Sequence, residues 1–247
     1  MTRPVFTVIT CTYNAESTLE RTVRSVDGQT WPGIEHLIID GASRDGTLEI
    51  AAASKRARVI SEPDKGLYDA MNKGLALAEG EYVIFLNAGD CFHSDDTLER
   101  VAEAIRGQGP DIIYGETALV DNEGKFLRMR RLRAPEVLNW KSFKNGMLVC
   151  HQAFWAKTSV ARQIPYDLRY RFSADVDWCI RVMKASCNIF NTHLTLVDYL
   201  SEGMSTANRK SSLRERFRVM RHHYGLATTL LRHCWFALRA LVRRGAI

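Results

Sequence analysis

The feature that constrains the fold most is a regular alternation of strand-like and helix-like segments over residues 5–90. Short runs of β-branched and aromatic residues predict buried strands, and stretches with apolar residues three or four positions apart predict helices between them. This alternation is typical of βαβ units, so it predicts an α/β fold with a mostly parallel sheet covered by helices on both faces. The predicted strands are 5–10, 36–40, 59–60 and 82–86, and the predicted helices are 19–26, 47–53 and 67–78.

Three of the predicted strands end in short polar groups. Strand 5–10 leads into Thr12-Tyr13-Asn14, strand 36–40 into Gly41-Ala42-Ser43, and strand 82–86 into Asn87-Ala88-Gly89-Asp90. Ligands of such sheets bind beyond the carboxyl ends of the strands, so this coincidence predicts a binding site there. No glycine follows the first strand and no Gly-Lys-Ser/Thr loop occurs. Both observations disfavour nicotinamide chemistry and ATP hydrolysis.

A diphosphate that is bound without a glycine-rich loop needs a divalent cation or basic side chains as partners. Asp90 follows a buried strand, which makes it the predicted ligand of Mg²⁺ or Mn²⁺. Simpler structural roles stay open for the acidic residues near these strand ends. Asp40 and Asp45 can be turn residues, and Asp90 can cap the helix near residues 95–97.

The second half of the chain is less regular. The sequence Asp-Asn-Glu-Gly at 121–124 predicts a hairpin between strands 112–114 and 125–129. A helix is predicted over 175–183 and a strand over 192–199. The arginines at 128, 130, 131 and 133 indicate either a solvated strand face or a phosphate contact.

Cysteine usage excludes two classes of protein. The six cysteines are scattered without any Cys-x-x-Cys pair, whereas zinc sites need clustered ligands and disulfide frameworks occur in short secreted chains. We therefore expect reduced thiols, most of them packed in the interior. No signal-peptide core and no run of about 20 apolar residues is present. The expected location is cytoplasmic, peripheral on the inner face of the membrane.

The net charge of +6 is carried by the C-terminal end of the chain. Residues 208–247 have a balance of +9 and the remainder has −3, a distribution that disfavours a nucleic-acid-binding protein. From residue 226 a helix is predicted with two contrasting sides. Such a helix is typical of an anionic membrane interface, although a helix docked on the protein's own core is the alternative. Its apolar side contains Leu230, Leu231, Cys234, Trp235, Leu238, Leu241 and Val242, and its opposite side contains Arg232, Arg239 and Arg243.

Seven motifs in order resemble one known family. They begin at residues 10, 40, 62, 87, 150, 174 and 203 and read TCTYN, DGASRDGT, EPDKGLYDAMNKG, NAGD, CHQ, ADVD and GMST. Together they are similar to family-2 inverting glycosyltransferases of the GT-A fold, in particular single-addition enzymes of bacterial surface-polysaccharide assembly. The resemblance covers about 5–206. It implies a GT-A domain over 1–206, with a nucleotide-sugar half (1–106) and an acceptor half (107–206), followed by a basic helical tail over 207–247.

The resemblance also implies roles for individual residues. Thr10, Thr12 and Asn14 would line the nucleotide pocket, with Asp40 accepting a hydrogen bond from uracil. Asp64, Lys65, Asp69 and Asn72 would lie beside the ribose or the donor sugar, and Asn87 and Ala88 beside the metal ligand Asp90. Asp175 would be the catalytic base, and His151, Gln152 and Asp177 would border the acceptor or phosphate side.

The reaction implied is the transfer of one sugar from a nucleotide-diphospho-sugar, with UDP the expected nucleotide, to a hydroxyl of a lipid-linked saccharide. The product class would be exopolysaccharide, O-antigen or capsule. A carboxylate base activates the acceptor hydroxyl, and a cation offsets charge on the leaving phosphate. One departure is Asn87, which replaces the first acid of Asp-x-Asp. The alternatives are a non-catalytic module that binds nucleotide-sugar or membrane, and a nucleotidyltransferase, whose glycine-rich opening loop is missing.

Overall fold

The computed structural model describes residues 5–201 and 209–244. The GMST motif at 203–206 therefore lies outside the described residues. The strands are β1 Phe6–Thr12, β2 Ile34–Asp40, β3 Ala57–Ser61, β4 Tyr82–Phe85, β5 Cys91–Phe92, β6 Ile112–Val120, β7 Phe126–Met129, β8 Phe154–Lys157 and β9 Ile189–Leu200. The helices are α1 Leu19–Asp27, α2 Thr47–Ala52, α3 Leu67–Leu77, α4 Thr97–Ala104, α5 Thr158–Ala161, α6 Ala174–Ala185, α7 Arg209–Tyr224 and α8 Leu226–Arg244. Two 3₁₀ helices span Trp140–Asn145 and His151–Ala153.

One mixed sheet runs through the protein in the order β3-β2-β1-β4-β8-β6-β9-β5, with β7 paired to β6. The first four strands along the chain are parallel, as the alternating pattern predicts, and β1 lies between β2 and β4. Strand β8 is antiparallel to both β4 and β6, whereas β6 and β9 are parallel. This mixed sheet flanked by helices confirms the predicted fold class. Strands β5 and β8 were not predicted.

Helix α3 lies very close to the parallel strands because its contact face contains a glycine. A Cβ on Gly74 would lie 2.6 Å from Cγ2 of Ile9 and 3.2 Å from Cγ1 of Ile39. Both isoleucines are almost fully buried, as are Met71 and Leu75 on the same helix. The close approach fixes the first turn of α3 near the carboxyl ends of β1 and β2, where the predicted site lies.

The predicted hairpin is confirmed, with a longer first strand than expected. Strand β6 continues to Val120 and pairs with β7 across the turn. The Asp121 carboxylate closes this turn by accepting hydrogen bonds from the backbone N–H groups of Glu123 and Lys125, at 3.0 and 2.8 Å.

All six cysteines are free thiols, as predicted. The expected interior packing is correct for Cys11, Cys150 and Cys179, which are buried, and Cys91 is half-buried. Cys187 and Cys234 are the exceptions and are exposed.

The C-terminal end forms two helices with different surroundings. Helix α7 is docked on the core, with Val219 and Met220 buried. Its last residue, Tyr224, stacks on Trp140 with ring centroids 5.7 Å apart and donates a hydrogen bond to the Trp140 carbonyl. Helix α8 continues after Gly225 and keeps much of its apolar side exposed, including Leu231 and Trp235. The predicted helix from residue 226 is confirmed, and the side chains of Leu241, Val242 and Arg243 lie outside the described ones.

Candidate active site

Asp40 organises the carboxyl ends of three parallel strands. Its fully buried carboxylate accepts hydrogen bonds from the hydroxyls of Thr12 on β1 (3.0 Å), Ser43 after β2 and Ser61 on β3 (2.7 Å), and from the Ser43 N–H (2.9 Å). Burial raises the pKa of Asp40, but these hydrogen bonds outweigh it and leave the pKa below its usual value. Asp40 is thus an ionised anchor that fixes the loops around the predicted nucleotide pocket.

The loops after β1 and β2 are joined through Asn14. Its N–H donates to the Ser43 hydroxyl at 2.8 Å, and its Oδ1 accepts from the Arg44 N–H at 3.0 Å. Asn14 and Ala42 both have positive φ, at 48° and 61°, a conformation that costs free energy for residues other than glycine. Tyr13 is 67% exposed, and its ring lies beside Gly41, where an added Cβ would be 3.3 Å from Cδ2 of the ring. An aromatic ring held open at the mouth of a strand-end pocket offers a stacking face to a planar ligand.

Asp64 and the loop before α3 close the third side of this pocket. Oδ1 of Asp64 accepts from the Gly66 N–H at 2.8 Å. A Cβ added to Gly41 would lie 2.6 Å from Asp64 Oδ2, so the absence of a side chain at 41 leaves the space that Asp64 fills. Lys65 is exposed, and its N–H donates to Oδ2 of Asp69 at 3.0 Å. Asp64 thus lies against the start of the loop after β2, whereas one oxygen of Asp69 is used within its own loop.

Asp175 lies in the first turn of α6 and is half-buried. The hydroxyl of Tyr68, in the first turn of α3, donates a hydrogen bond to Asp175 Oδ1 at 3.1 Å. Burial raises the pKa of Tyr68 well above its usual value, and the negative charge of Asp175 raises it further. Tyr68 therefore stays protonated and orients the carboxylate. Since Asp64 and Tyr68 are four residues apart, this contact joins the candidate base to the strand-end pocket.

An aromatic cluster supports this contact from beneath. Tyr68 stacks on Tyr166 with ring centroids 5.5 Å apart, and Tyr166 stacks on the buried Trp178 of α6 at 4.9 Å. The stack fixes α3 against α6, which carry the two partners. Sequence reasoning singled out neither Tyr68 nor Tyr166, although Tyr68 lies inside one of the seven motifs.

His151 belongs to the same cluster and is buried. Its Nε2 lies 2.6 Å from the Tyr166 hydroxyl, and its ring stacks on Phe85 at 5.3 Å. Burial lowers the pKa of His151 to about 4, which leaves the ring neutral at physiological pH. In this geometry His151 packs the core beneath Asp175 and does not present a cation to a phosphate.

Asp90 is a buried brace between distant segments. Its Oδ2 accepts from Gln152 Nε2 at 2.8 Å and its Oδ1 from the Leu200 N–H at 2.9 Å, and the residue is only 3% exposed. Burial raises the pKa of Asp90 to about 7. Gln152 is committed as well, because its Oε1 accepts from the Cys150 thiol at 2.9 Å. Burial raises the pKa of Cys150, and the negative charges of Asp90 and Asp175 add smaller contributions in the same direction.

These residues do not fit a preformed cation site. A cation site needs accessible oxygen ligands, but both Asp90 oxygens are engaged and buried. Asn87 offers its buried Oδ1, which lacks a hydrogen-bond partner. Ala88, beside it, has no side-chain atom that can bind a cation. Among the residues that the structure describes, no three His, Cys, Asp or Glu side chains are grouped as a metal centre requires. The role of Asp90 as a metal ligand stays a prediction that this geometry does not support.

Three further predicted residues have structural partners. The hydroxyl of Thr10 is fully buried and pairs with His36 Nε2 at 3.1 Å. The Asn72 amide donates to the Tyr166 carbonyl at 3.0 Å and accepts from the Tyr166 N–H at 2.7 Å. Asp177 faces α7 and is described with that helix. The predicted residues that contacts link at the strand ends are therefore Thr12, Asn14, Asp40 and Asp64. Asp175 is joined to α3 through Tyr68, and Lys65 is exposed next to Asp64 in the chain.

The α/β fold places polar residues at the carboxyl ends of parallel strands, where ligands of such sheets bind. Residues 7–164 match the model of the family described as Glycosyl transferase family 2. The chain belongs to this family and is a glycosyltransferase.

Two relatives support the assignment. The chain is 34% identical over 188 residues to the PGL/p-HBAD biosynthesis glycosyltransferase of Mycobacterium bovis, a match that covers 73% of this chain and 70% of that protein. It is 29% identical over 195 residues to the amylovoran biosynthesis glycosyltransferase AmsB of Erwinia amylovora, covering 72% and 64% of the two chains.

Two solved structures share the fold. S. aureus TarS 1–349 in complex with UDP-GlcNAc has a TM-score of 0.73 at 19% identity, covering 87% of this chain and 64% of that one. The mannosyltransferase PcManGT of Pyrobaculum calidifontis, in complex with GDP-Man and Mn²⁺, has a TM-score of 0.61 at 16% identity, covering 100% and 80%. This chain thus spans less than two thirds of the TarS fragment.

Proposed function

We propose that the protein is an inverting glycosyltransferase that moves one sugar from a nucleotide-diphospho-sugar, with UDP the nucleotide, to a hydroxyl of a lipid-linked saccharide. The product would be a bacterial exopolysaccharide, O-antigen or capsule. The observation that carries the proposal is the placement of Asp175, a half-buried carboxylate oriented by Tyr68 next to the strand-end pocket. The name of AmsB, which refers to amylovoran biosynthesis, supports the polysaccharide class.

The chemistry follows from Asp175. As the acceptor oxygen attacks the anomeric carbon, the carboxylate takes the hydroxyl proton, and the bond from the anomeric carbon to the diphosphate oxygen breaks. A single displacement from the face opposite the leaving group inverts the anomeric configuration. Tyr68 holds the carboxylate in the required direction without giving up its own proton.

The donor is proposed to bind at the carboxyl ends of β1–β3. The exposed ring of Tyr13 offers its face to the nucleobase. The anchored Asp40 holds Thr12, which precedes Tyr13 in the chain, and Ser43, whose hydroxyl accepts from the Asn14 N–H. Asp64 and Lys65 then lie where the ribose and diphosphate leave the pocket, with the Lys65 ammonium available to a phosphate oxygen.

A divalent cation, Mn²⁺ or Mg²⁺, is proposed to accompany the donor, and the Mn²⁺ in the PcManGT title supports this. Because the described residues hold no preformed cation site, the donor phosphates would supply most of the ligands. Loss of turnover on addition of EDTA, with recovery on excess Mn²⁺, is the expected result.

The acceptor is proposed to lie at an anionic membrane surface, so that the enzyme is peripheral on the cytoplasmic face of the inner membrane. Helix α8 exposes Leu231, Trp235 and Leu238, one stripe at spacings of four and three. Helix α7 exposes a basic ridge at similar spacing, formed by Lys210, Arg214, Arg218 and Arg221. Apolar and cationic side chains together match the interface of an anionic bilayer. None of the described helices is both long and apolar enough to cross a membrane.

The test is turnover of a panel of UDP- and GDP-sugars with octyl glycosides as acceptors, followed by analysis of the product anomer. Asp175→Asn is expected to lower transfer by about 10²-fold or more and to leave UDP affinity unchanged. Asp95→Asn, an exposed carboxylate away from the site, is the matched control. Full transfer by Asp175→Asn would show that another group is the base. Donor binding without turnover in the wild type would favour the non-catalytic module.

A further inference from the structure

The segment just before Asp175 is attached to helix α7. The two carboxylate oxygens of Glu215 accept hydrogen bonds from the backbone N–H groups of Arg171 and Phe172, at 3.0 and 2.7 Å. These two N–H groups come before α6 and therefore take no part in the backbone hydrogen bonds of that helix. A carboxylate that accepts two backbone N–H groups makes stronger hydrogen bonds than a neutral side chain does.

The next residue is attached to the same turn of α7. Ser173, the N-cap residue of α6, makes no capping hydrogen bond with its side chain. Its hydroxyl instead donates to the Ser212 carbonyl at 3.2 Å and lies 3.3 Å from the Ser212 hydroxyl. Both serines are buried. Three consecutive residues before the candidate base are thus held by one turn of a helix about 40 residues further along the chain.

A second attachment follows Asp175 on the other side. His223 Nε2 lies 2.8 Å from Asp177 Oδ1, and Lys184 Nζ lies 3.0 Å from His223 Nδ1. An ammonium group can only donate, so Nδ1 is the acceptor and the imidazole hydrogen is on Nε2, facing Asp177. Asp175 lies between the two attachments and itself contacts Tyr68 on α3.

Glu215 is also the only acidic residue of α7. Its charge is close enough to contribute to the raised pKa of Tyr68, after the larger effects of burial and of Asp175. Every other charged side chain of this helix is basic, so the sequence alone gives Glu215 the appearance of a minor surface acid. The structure places it instead against the segment that presents the candidate base.

From these contacts we infer that Glu215 is a positioning residue for Asp175: it fixes the backbone of residues 171–173 and thereby the direction of the candidate base toward the acceptor. The inference rests on the proposed function of Asp175. A small displacement of a catalytic group lowers turnover strongly while it leaves ligand affinity nearly unchanged.

The test compares Glu215→Gln with Glu215→Asp, using the sugar donor and octyl glycoside that the wild type uses fastest. A glutamine can accept from one N–H only, because its amide NH₂ would face the other. Glu215→Gln is expected to lower kcat by about tenfold with the donor KM changed less than about twofold. Glu215→Asp keeps both acceptor oxygens and should recover part of kcat. Glu103→Gln, on the exposed face of α4, is the matched control.

A second readout does not depend on turnover. Amide hydrogen exchange at residues 171–173 should be faster in Glu215→Gln than in the wild type, while UDP affinity is unchanged. If Glu215→Gln does not fold, Glu215→Asp, which keeps both acceptor oxygens on a shorter side chain, is compared with the wild type by the same kcat and exchange measurements. A folded variant with wild-type kcat, a raised donor KM at unchanged kcat, or unchanged exchange would each overturn the inference.

The outcomes also separate this inference from the proposed function. Full activity of Asp175→Asn would remove the base assignment whatever Glu215 does. An inactive Asp175→Asn together with a fully active Glu215→Gln would remove only the role of Glu215.

Discussion

The two halves of the sheet build their polar sites in different ways. In the parallel half, β1–β4, neighbouring strands end at one edge, and Asp40 is satisfied by hydroxyls and an N–H from the ends of those strands and the loop after β2. In the mixed half, buried carboxylates join segments that are remote in sequence. Asp90 accepts from Leu200, 110 positions away, and Asp177 pairs with His223, 46 positions away.

The difference shows which part of the protein depends on neighbouring strands and which part depends on segments far apart in the chain. A pocket at parallel strand ends follows from strand order alone, because the carboxyl ends meet wherever the sheet forms. The surroundings of Asp175 on α6 depend instead on a helix from the far end of the chain. Variants in the first half should therefore change donor binding, and variants in the second half should change stability and turnover.

The largest expected effect is at Asp177. Its carboxylate is buried between Arg181 (2.6 Å) and His223 (2.8 Å). Asp177→Ala removes the acceptor of Arg181 Nε and His223 Nε2, although Arg181 keeps its bond to the Pro165 carbonyl and His223 keeps Lys184. It should lower the free energy of unfolding by about 3 kcal/mol, as measured by urea denaturation. Glu20→Gln, which removes the exposed pair with Arg24, is the control and should change it by less than about 0.5 kcal/mol. Equal effects of the two variants would refute the buried anchor.

A smaller loss is expected at Asp40. Asp40→Asn keeps an acceptor but loses the charge that several donors stabilise, so unfolding should become easier by about 2 kcal/mol and the UDP Kd should rise. The pKa of Asp40 is lowered in the folded state, so its contribution is present above the unfolded value of 3.8 and is lost as the pH falls through the folded value. Urea midpoints between about pH 6 and pH 3 should therefore converge for wild type and variant. Parallel curves would contradict the assignment.

Asp90 should behave in the opposite sense. Its pKa is raised to about 7, so the folded state holds the proton more tightly than the unfolded chain does. Stability from this group is complete below the unfolded value of 3.8 and declines as the pH rises toward 7. Asp90→Asn should remove that decline, so its urea midpoint should fall less than that of the wild type between about pH 4 and pH 7, and it should leave the apparent Mn²⁺ requirement unchanged. A large loss of turnover that excess Mn²⁺ restores would instead identify Asp90 as a metal ligand.

The smallest effect on stability is expected on α8. Leu231 and Trp235 are 72% and 53% exposed, so their replacement by serine should change the free energy of unfolding by less than about 0.5 kcal/mol. Sedimentation with vesicles that contain phosphatidylglycerol should nevertheless fall, because apolar contact with the bilayer is lost. Phe126→Ser on β7, also exposed, is the control. Unchanged sedimentation would favour a role for α8 in packing alone.

Sequence patterns predicted the parallel half closely because its signals are local. Runs of β-branched residues predicted the strands, and the polar residues at the ends of these strands predicted Thr12, Asn14 and Asp40 as candidate site residues. The short strand β8 was missed because Phe154–Lys157 is only four residues long and pairs with neighbours far away in sequence. The motif resemblance led to Asp175. It could not reveal that Glu215 and His223 contact the residues on either side of Asp175. Both lie among basic residues in a segment whose composition predicts only a cationic tail. The exposed side chain of Tyr13 could have been predicted from its position in the chain between Thr12 and Asn14, both of which were predicted to line the nucleotide pocket.

Gly225 joins α7 to α8 with a φ of +80°, a conformation that only glycine adopts at little cost. Helix α7 contacts the segment just before Asp175, and α8 carries the apolar stripe. Under the membrane proposal, a single backbone bend therefore sets the tilt of the cleft relative to the lipid headgroups. Under the same proposal, a different bend at Gly225 would place the cleft at another height above the bilayer without changing the residues around Asp175.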